Sequence, residues 1–322
     1  MNVAQFEAKL NHWGREQVPF LFLVDFEMEN LLAWRMNEVP RDIIFSIGDI
    51  SNVTLPAKKT DETLLIKHPI SFSEYKTKFD FVKERIGFGD SYLTNLTIKT
   101  KIEINRSLED LFSESVAKYK LCWKTKFLVF SPETFIKIKD NKIYSFPMKG
   151  TIDASIPNAE QVILSDEKEL SEHVTIVDLI RNDLSATAKN VNVKRFRYTE
   201  KIQTSQKDLL QVSSEIVGDL PDDYRGHIGS ILISLLPAGS ISGAPKKKTV
   251  QIIQKAEKEK RGFYTGVFGY FDGKNLDSAV MIRFVEQEGE HFYYRSGGGI
   301  TAQSEAEKEY QEAIDKIYVP IH

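Results

Sequence analysis

Apolar and polar residues alternate most clearly between Thr134 and Tyr144, the period of a half-buried strand. Phe127 to Ile152 reads as two apolar strands joined by a polar turn at Asp140-Asn141. Such a hairpin would fold Glu133 and Lys149, at its matching ends, back towards each other. Further strands are expected over Phe20 to Phe26, Ile43 to Ile47, Ser91 to Thr97 and Leu209 to Ser214. Gly262 to Asp272 and Ser278 to Phe284 read as a pair around Asp272-Gly273, which would put Tyr264 and Arg283 on a sheet. A short polar helix-like segment opens the chain, and Lys58 to Glu62 reads as a charged loop.

The helical period governs three other stretches. Ser71 to Ile86 carries Phe72, Tyr75, Phe79 and Val82 on one side, and Gly87-Phe88-Gly89-Asp90 stops it. Asp166 opens a helix to about Leu184, with Glu169 completing a capping box and Leu170, Val177, Ile180 and Leu184 as the buried stripe. In the C-terminal helix Ser304 and Glu307 form a second capping box, and Tyr310, Ile314 and Ile317 face the core.

Composition narrows the classes. The 322 residues are 41% hydrophobic and 28% charged with a formal net charge of −3, so a substantial core is expected and a nucleic-acid footprint is not. No Pro- or Gly-rich linker, repeat or low-complexity tract marks a domain boundary. One cysteine, Cys122, excludes an internal disulfide framework and a CxxC site and suits a reducing compartment. No secretory h-region is visible, and no apolar run approaches the ~18 residues of a membrane span, so a cytoplasmic location away from membranes is expected.

Several positions suggest chemistry, each beside a plainer structural reading. Glu133 and Lys149 could place an acid and an amine in one site, or stand exposed on a surface hairpin; Gly150 would let a ligand approach the backbone. Glu169 with Glu172, and Glu309 with Glu312, are each three apart and share a helix face. They are either solvated acids or, if the pairs converge, a shell for Mg²⁺, which takes carboxylate oxygens and keeps several waters. Leu236 to Lys246 is a small-residue loop before a helix with Pro245 near its first turn, either an ordinary turn or a set of N–H groups open to a carboxylate. Arg283 after an apolar run would pair with a carboxylate of protein or ligand, and Gly297-Gly298-Gly299 is a second close-approach point. Together they point to a small anionic substrate held with Mg²⁺, an acid and an amine.

These motifs resemble those of the chorismate-utilising enzymes, over roughly Gly87 to Lys316. Ser131-Pro132-Glu133 is similar to the family's SPE and Pro147-Met148-Lys149-Gly150-Thr151 to PIKGT. Glu172-His173 with Asp178 to Leu184 resembles EH…VDLxRNDL, and Pro237 to Lys246 resembles PAGSVTGAPK. Arg261-Gly262 with Tyr264-Thr265-Gly266 resembles RGxYTG, Gly297 to Ile300 GAGI, and Glu309 to Glu312 with Lys316 EYxE…K. Lys149 resembles the aminodeoxychorismate-forming branch, because anthranilate-forming relatives carry alanine there, and isochorismate-forming ones carry a lysine on the strand that here reads Tyr92 to Asn95. Leu93 and Gln211 depart from the family's usual Gln and His, although Gln211 to Ser214 resembles the Gln-Met-Thr-Ser of some lysine-bearing members.

The resemblance implies an α+β fold of two large, mainly antiparallel sheets packed together with helices outside, as one catalytic domain over 1–322. Its N-terminal part, to about residue 86, is short and lacks a tryptophan-binding motif. It implies that Lys149 is a nucleophile at C2 of chorismate, Glu133 the general acid for the departing 4-hydroxyl, and Glu169, Glu172, Glu309 and Glu312 the Mg²⁺ shell. Thr151, Ser214, Gly243, Ala244, Tyr264, Arg283, Gly297, Gly298, Gly299 and Lys316 would hold the substrate. The product would be 4-amino-4-deoxychorismate, for p-aminobenzoate and folate. Ammonia would come from a separate glutamine amidotransferase subunit, since Cys122 in Leu121-Cys122-Trp123 has no nucleophile-elbow context. The alternatives are an anthranilate-forming component and an inactive chorismate-binding protein.

Overall fold

The computed structural model describes residues 1–54, 63–202 and 208–320, so the Lys58–Glu62 loop lies outside the described residues. In chain order its strands are β1 (Phe20–Val24), β2 (Leu31–Arg35), β3 (Ile43–Ile47), β4 (Ile50–Ser51), β5 (Leu65–His68), β6 (Leu93–Ile104), β7 (Tyr119–Trp123), β8 (Phe127–Ser131), β9 (Thr134–Lys139), β10 (Lys142–Ser145), β11 (Met148–Asp153), β12 (Lys189–Ile202), β13 (Leu209–Asp219), β14 (Gly243–Ala244), β15 (Val267–Phe271), β16 (Leu276–Val280), β17 (Phe284–Glu288) and β18 (His291–Ile300). Its helices are α1 (Val3–Arg15), α2 (Phe72–Gly87), α3 (Leu108–Glu114), α4 (Ala159–Ser165), α5 (Glu167–Ser185), α6 (Ile228–Leu235), α7 (Gly239–Ser242), α8 (Lys246–Glu257) and α9 (Ala306–Asp315). Two large antiparallel sheets with helices make this the expected α+β class. No described helix is long and apolar enough to cross a membrane.

The chain forms two compact units. The first comprises Met1–Val39, Glu133–Ser240 and Arg261–Val280; the second comprises Pro40–Pro132, Ile241–Lys260 and Met281–His322.

In the first unit the strand order is β11-β13-β10-β9-β16-β15-β1-β2, with β12 on β13. All five residues of β1 are buried, as a strand flanked by β15 and β2 with both faces covered should be. Asp140 and Asn141 take φ of 52° and 56°, the left-handed pair of a tight hairpin turn, and join β9 to β10 as expected. The stretch around that turn departs from a single hairpin. Phe127 to Ile152 holds four strands, β8 belongs to the other unit, and β11 pairs with β13. Because β13 and β10 lie between β11 and β9, Glu133 and Lys149 are not hairpin partners.

Helix α5 begins where expected: the Asp166 carboxylate accepts the Glu169 N–H at 2.9 Å. Leu170, assigned to the buried stripe, is instead 38% exposed. Reading only apolar residues misplaces the stripe, because the helix's first turns bury Glu172 and His173 before Ile176, Val177, Ile180 and Leu184 continue inwards. Helix α1, the expected N-terminal helix, buries Phe6, Leu10 and Trp13, and the Asn11 carboxamide oxygen accepts the Gly229 N–H of α6 at 2.8 Å.

In the second unit the order is β14-β6-β18-β17-β8-β7-β3-β4, with β5 on β6. Ser71 caps α2, whose Tyr75, Phe79, Val82 and Ile86 pack in one core cluster with Ile252 of α8 and Ala306 and Ala313 of α9. A second cluster surrounds Cys122 with Ile44, Leu128, Phe130 and Val285. The capping box expected at Ser304 is not formed. The N-cap of α9 is Glu305, without a side-chain bond, because the Ser304 hydroxyl already accepts the Thr301 N–H at 3.1 Å.

Candidate functional site

The Lys149 position is built by a slip in strand register. Met148 pairs with Ser213 and Thr151 with Gln211, so Lys149 and Gly150 together face one residue, Val212. Such a bulge re-aims side chains, and Gly150 supplies the left-handed φ of 82° that it needs. Lys149 Nζ lies 3.5 Å from Glu172 Oε2, and Glu172 is buried. A Cβ on Gly150 would stand 3.0 Å from Glu169 Oε2, so the α5 carboxylates close over the Lys149-Gly150 backbone. Gln211 braces the same segment: its Nε2 donates to the Gly150 carbonyl at 3.1 Å, and its Oε1 accepts the Thr151 hydroxyl at 3.3 Å.

Behind Lys149 lies a buried polar pair. Ser214 Oγ accepts the Arg197 N–H at 2.9 Å and shares a 2.6 Å hydrogen bond with His173 Nε2. Nδ1 of the same ring is buried with no hydrogen-bond partner among the described residues. Burial, with the Arg197 and Lys149 charges adding to it, lowers the His173 pKa to about 4, so the ring is neutral. Arg197, with φ 48°, also donates to the Ile163 and Leu164 carbonyls of α4 at 3.0 and 2.8 Å.

Glu133 sits at the head of β9, with its carboxylate hydrogen-bonded by the Ser240 hydroxyl. It lines a cavity with Ser145, Pro147, Ile180, Asp183 and Gly239. Tyr264 is buried, but in the turn before β15 and not on a strand.

The second unit also sets a strand glycine against helical acids, here two of them. Gly297, Gly298 and Gly299 of β18 face Thr97, Leu96 and Asn95 of β6, and a Cβ on Gly297 would collide with the Leu96 carbonyl. A Cβ on Gly298 would lie 3.4 Å from both Glu309 Oε2 and Glu312 Oε1 and 3.7 Å from Lys316 Nζ. Lys316 donates to the Gly297 carbonyl at 2.9 Å and meets Glu312 Oε1 at 2.5 Å. Burial, then Glu309 and Glu312, push the phenol of nearby Tyr75 well above its ordinary range. The segment read as a small-residue loop is α7 followed by β14, so Gly243 and Ala244 pair with Thr94 and Leu93. Pro245 is the N-cap of α8. Arg283 is likewise off the sheet, at a bend before β17 with φ 54°, where its Nε donates to the Tyr318 hydroxyl at 3.3 Å.

Among the described residues no three His, Cys, Asp or Glu side chains form a metal-holding cluster. In the second unit Glu309 and Glu312 stand beside Gly298, and in the first Glu169 stands beside Gly150 with Glu172 on Lys149; paired carboxylates of this kind fit Mg²⁺. The contacts therefore join Lys149 to Glu172 and Lys316 to Glu312 and Gly297, while Glu133 is joined to Ser240. Of the residues around them, Ser240, Gln211, His173 and Arg197 were given no role from sequence. His173 stands in the quoted Glu172-His173 motif, whereas Arg197 lies in a polar strand with nothing to single it out.

A family model described as chorismate binding enzyme matches residues 28–322. An uncharacterised PabA-like protein of Haemophilus influenzae is 50% identical over 98% of this chain and 96% of its own. Anthranilate synthase component 1 of Aquifex aeolicus is 36% identical over 59% of this chain and 39% of its own. Aminodeoxychorismate synthase component 1 of Bacillus subtilis is 28% identical over 84% of this chain and 60% of its own. The fold is similar to a crystal structure described as a putative 2,3-dihydroxybenzoate-specific isochorismate synthase, DhbC, of Bacillus anthracis: TM-score 0.72 and 19% identity over 98% of this chain and 87% of that one. With nearly all of its length matched, the chain belongs to the chorismate binding enzyme family.

Proposed function

We propose that this protein is the catalytic component of an aminodeoxychorismate synthase, acting as one domain and converting chorismate and ammonia to 4-amino-4-deoxychorismate for p-aminobenzoate and folate. The observation that carries the reading is the bulge that turns Lys149 towards the buried Glu172. Likeness to the Bacillus subtilis aminodeoxychorismate synthase component supports it. Lys149 Nζ, once uncharged, bonds to C2 as the ring double bonds shift and the C4–O bond breaks. Glu133 gives its proton to the departing hydroxyl, which leaves as water. Ammonia then bonds at C4, the C2–N bond breaks, and Lys149 is released. Thr151, Ser214, Gly243, Ala244, Tyr264, Arg283, Lys316 and the Gly297–Gly299 run hold the substrate. Glu169, Glu172, Glu309 and Glu312 would hold Mg²⁺, whose charge would anchor a substrate carboxylate. Ammonia is supplied by a separate glutamine amidotransferase subunit in the cytoplasm.

Intact-mass measurement with chorismate and Mg²⁺ but no ammonia is expected to show a covalent adduct that Lys149→Ala lacks. Lys149→Arg is expected to lose nearly all turnover, because a guanidinium keeps its proton. Near-normal turnover of Lys149→Arg would end the covalent reading. Chromatography of the product from chorismate plus ammonium separates this reaction from its rival: product aminated at C2 would mark the anthranilate type, which the Aquifex relative represents.

A further inference from the structure

The Lys83 ammonium on α2 lies 3.3, 2.6 and 3.1 Å from the carbonyl oxygens of Thr301, Ala302 and Ser304. Three carbonyl dipoles aimed at one point repel one another unless a cation stands there, and an ammonium has one donor for each. This turn joins the Gly297–Gly299 run of β18 to α9, which starts without a side-chain cap. Two other bonds tie α9 to the same stretch of chain: Tyr310 donates its hydroxyl to the Ile70 carbonyl at 2.5 Å, and Lys67 Nζ donates to the Ile314 carbonyl at 3.1 Å.

We propose that Lys83 is a positioning residue for the Glu309–Glu312 pair, its ammonium occupying a cation cradle that fixes the start of α9 against Gly298. The proposal rests on the reading of those glutamates as Mg²⁺ ligands. Mg²⁺ is titrated calorimetrically with chorismate present in ammonium-free buffer, and exchange of the hydrogen-bonded amides of Glu309 and the residues after it in α9 is followed in parallel. Lys83→Met keeps the apolar stem beside Phe79 but removes the charge and donors. It is expected to weaken Mg²⁺ binding about 10- to 100-fold, the usual cost of freeing a residue that orients metal ligands. Lys83→Arg is expected to retain most of the affinity. Lys83→Ala opens the cradle to an outside ion, so K⁺ should restore binding where tetramethylammonium does not, and Lys83→Met should not respond. Wild-type affinity in Lys83→Met, or no K⁺ effect on Lys83→Ala, overturns the proposal. If the wild type itself binds no Mg²⁺, the metal reading fails while the exchange arm still decides: fast exchange in Met with slow exchange in Arg supports Lys83, and equal exchange in all overturns it.

Discussion

Gly150 is the residue at which backbone conformation and candidate chemistry constrain each other most tightly. Its φ of 82° is costly for a residue with a side chain, by about 1–2 kcal/mol. Any Cβ would also press on Glu169 Oε2 at 3.0 Å and on the Ile163 side chain at 3.2 Å. Gly150→Ala is therefore expected to lower the urea midpoint and to reduce turnover further than stability alone explains. Gly298→Ala makes a useful contrast: its Cβ meets Glu309 and Glu312 at 3.4 Å, an ordinary contact, with no left-handed backbone to strain. Stability near wild type with altered Mg²⁺ dependence is expected there. Equal urea midpoints for the two variants would contradict the role given to the Gly150 conformation.

Among elements, α5 and α9 carry the paired acids, and their starts are held by different means. Asp166→Ala removes the bond to the Glu169 N–H and is expected to cost about 1 kcal/mol by urea denaturation. Because Glu169 sits in that first turn, metal dependence should shift as well. Glu172→Ala and Glu312→Ala are each expected to abolish turnover with an unchanged circular dichroism spectrum; wild-type turnover surviving exhaustive chelation would refute a metal role. The starts of α2 and α5 were legible because Ser71 and Asp166 cap the next turn locally. That of α9 was not: its N-cap is Glu305, one residue beyond the serine, and the Ser304 hydroxyl accepts the Thr301 N–H instead. The Asp140-Asn141 turn was legible for the same local reason, whereas the insertion of β13 between β11 and β10 depends on pairing distant in sequence. Periodicity carries no information about such partners. Hence Lys149 stood out as a candidate from the strand pattern and motif resemblance, while its contact with Glu172 became visible only in the fold.

At the scale of the molecule, Cys122 reports on the second unit as a whole. It is fully buried in β7, and burial, with Glu109 adding to it, pushes the thiol up to about 12. Only the thiolate reacts readily, so the native protein should resist iodoacetamide at pH 8 and be modified once in urea. Above pH 9 the unfolded thiol ionises while the folded one does not, so this group's contribution to stability falls as pH rises towards 12. Rapid modification of the native protein would contradict a closed core around β7.

The strand order also has a consequence for synthesis on the ribosome. In the first unit β15 and β16 join β1 to β9; in the second, β17 and β18 join β8 to β6. These two hairpins are consecutive in the chain and follow all the other described strands in sequence. A nascent chain paused before Val267 thus presents four unsatisfied edges, β1, β9, β6 and β8, each a template for pairing with a neighbouring chain. Slower translation within this window is expected to raise the fraction of aggregated chain, measured by pelleting after in vitro synthesis.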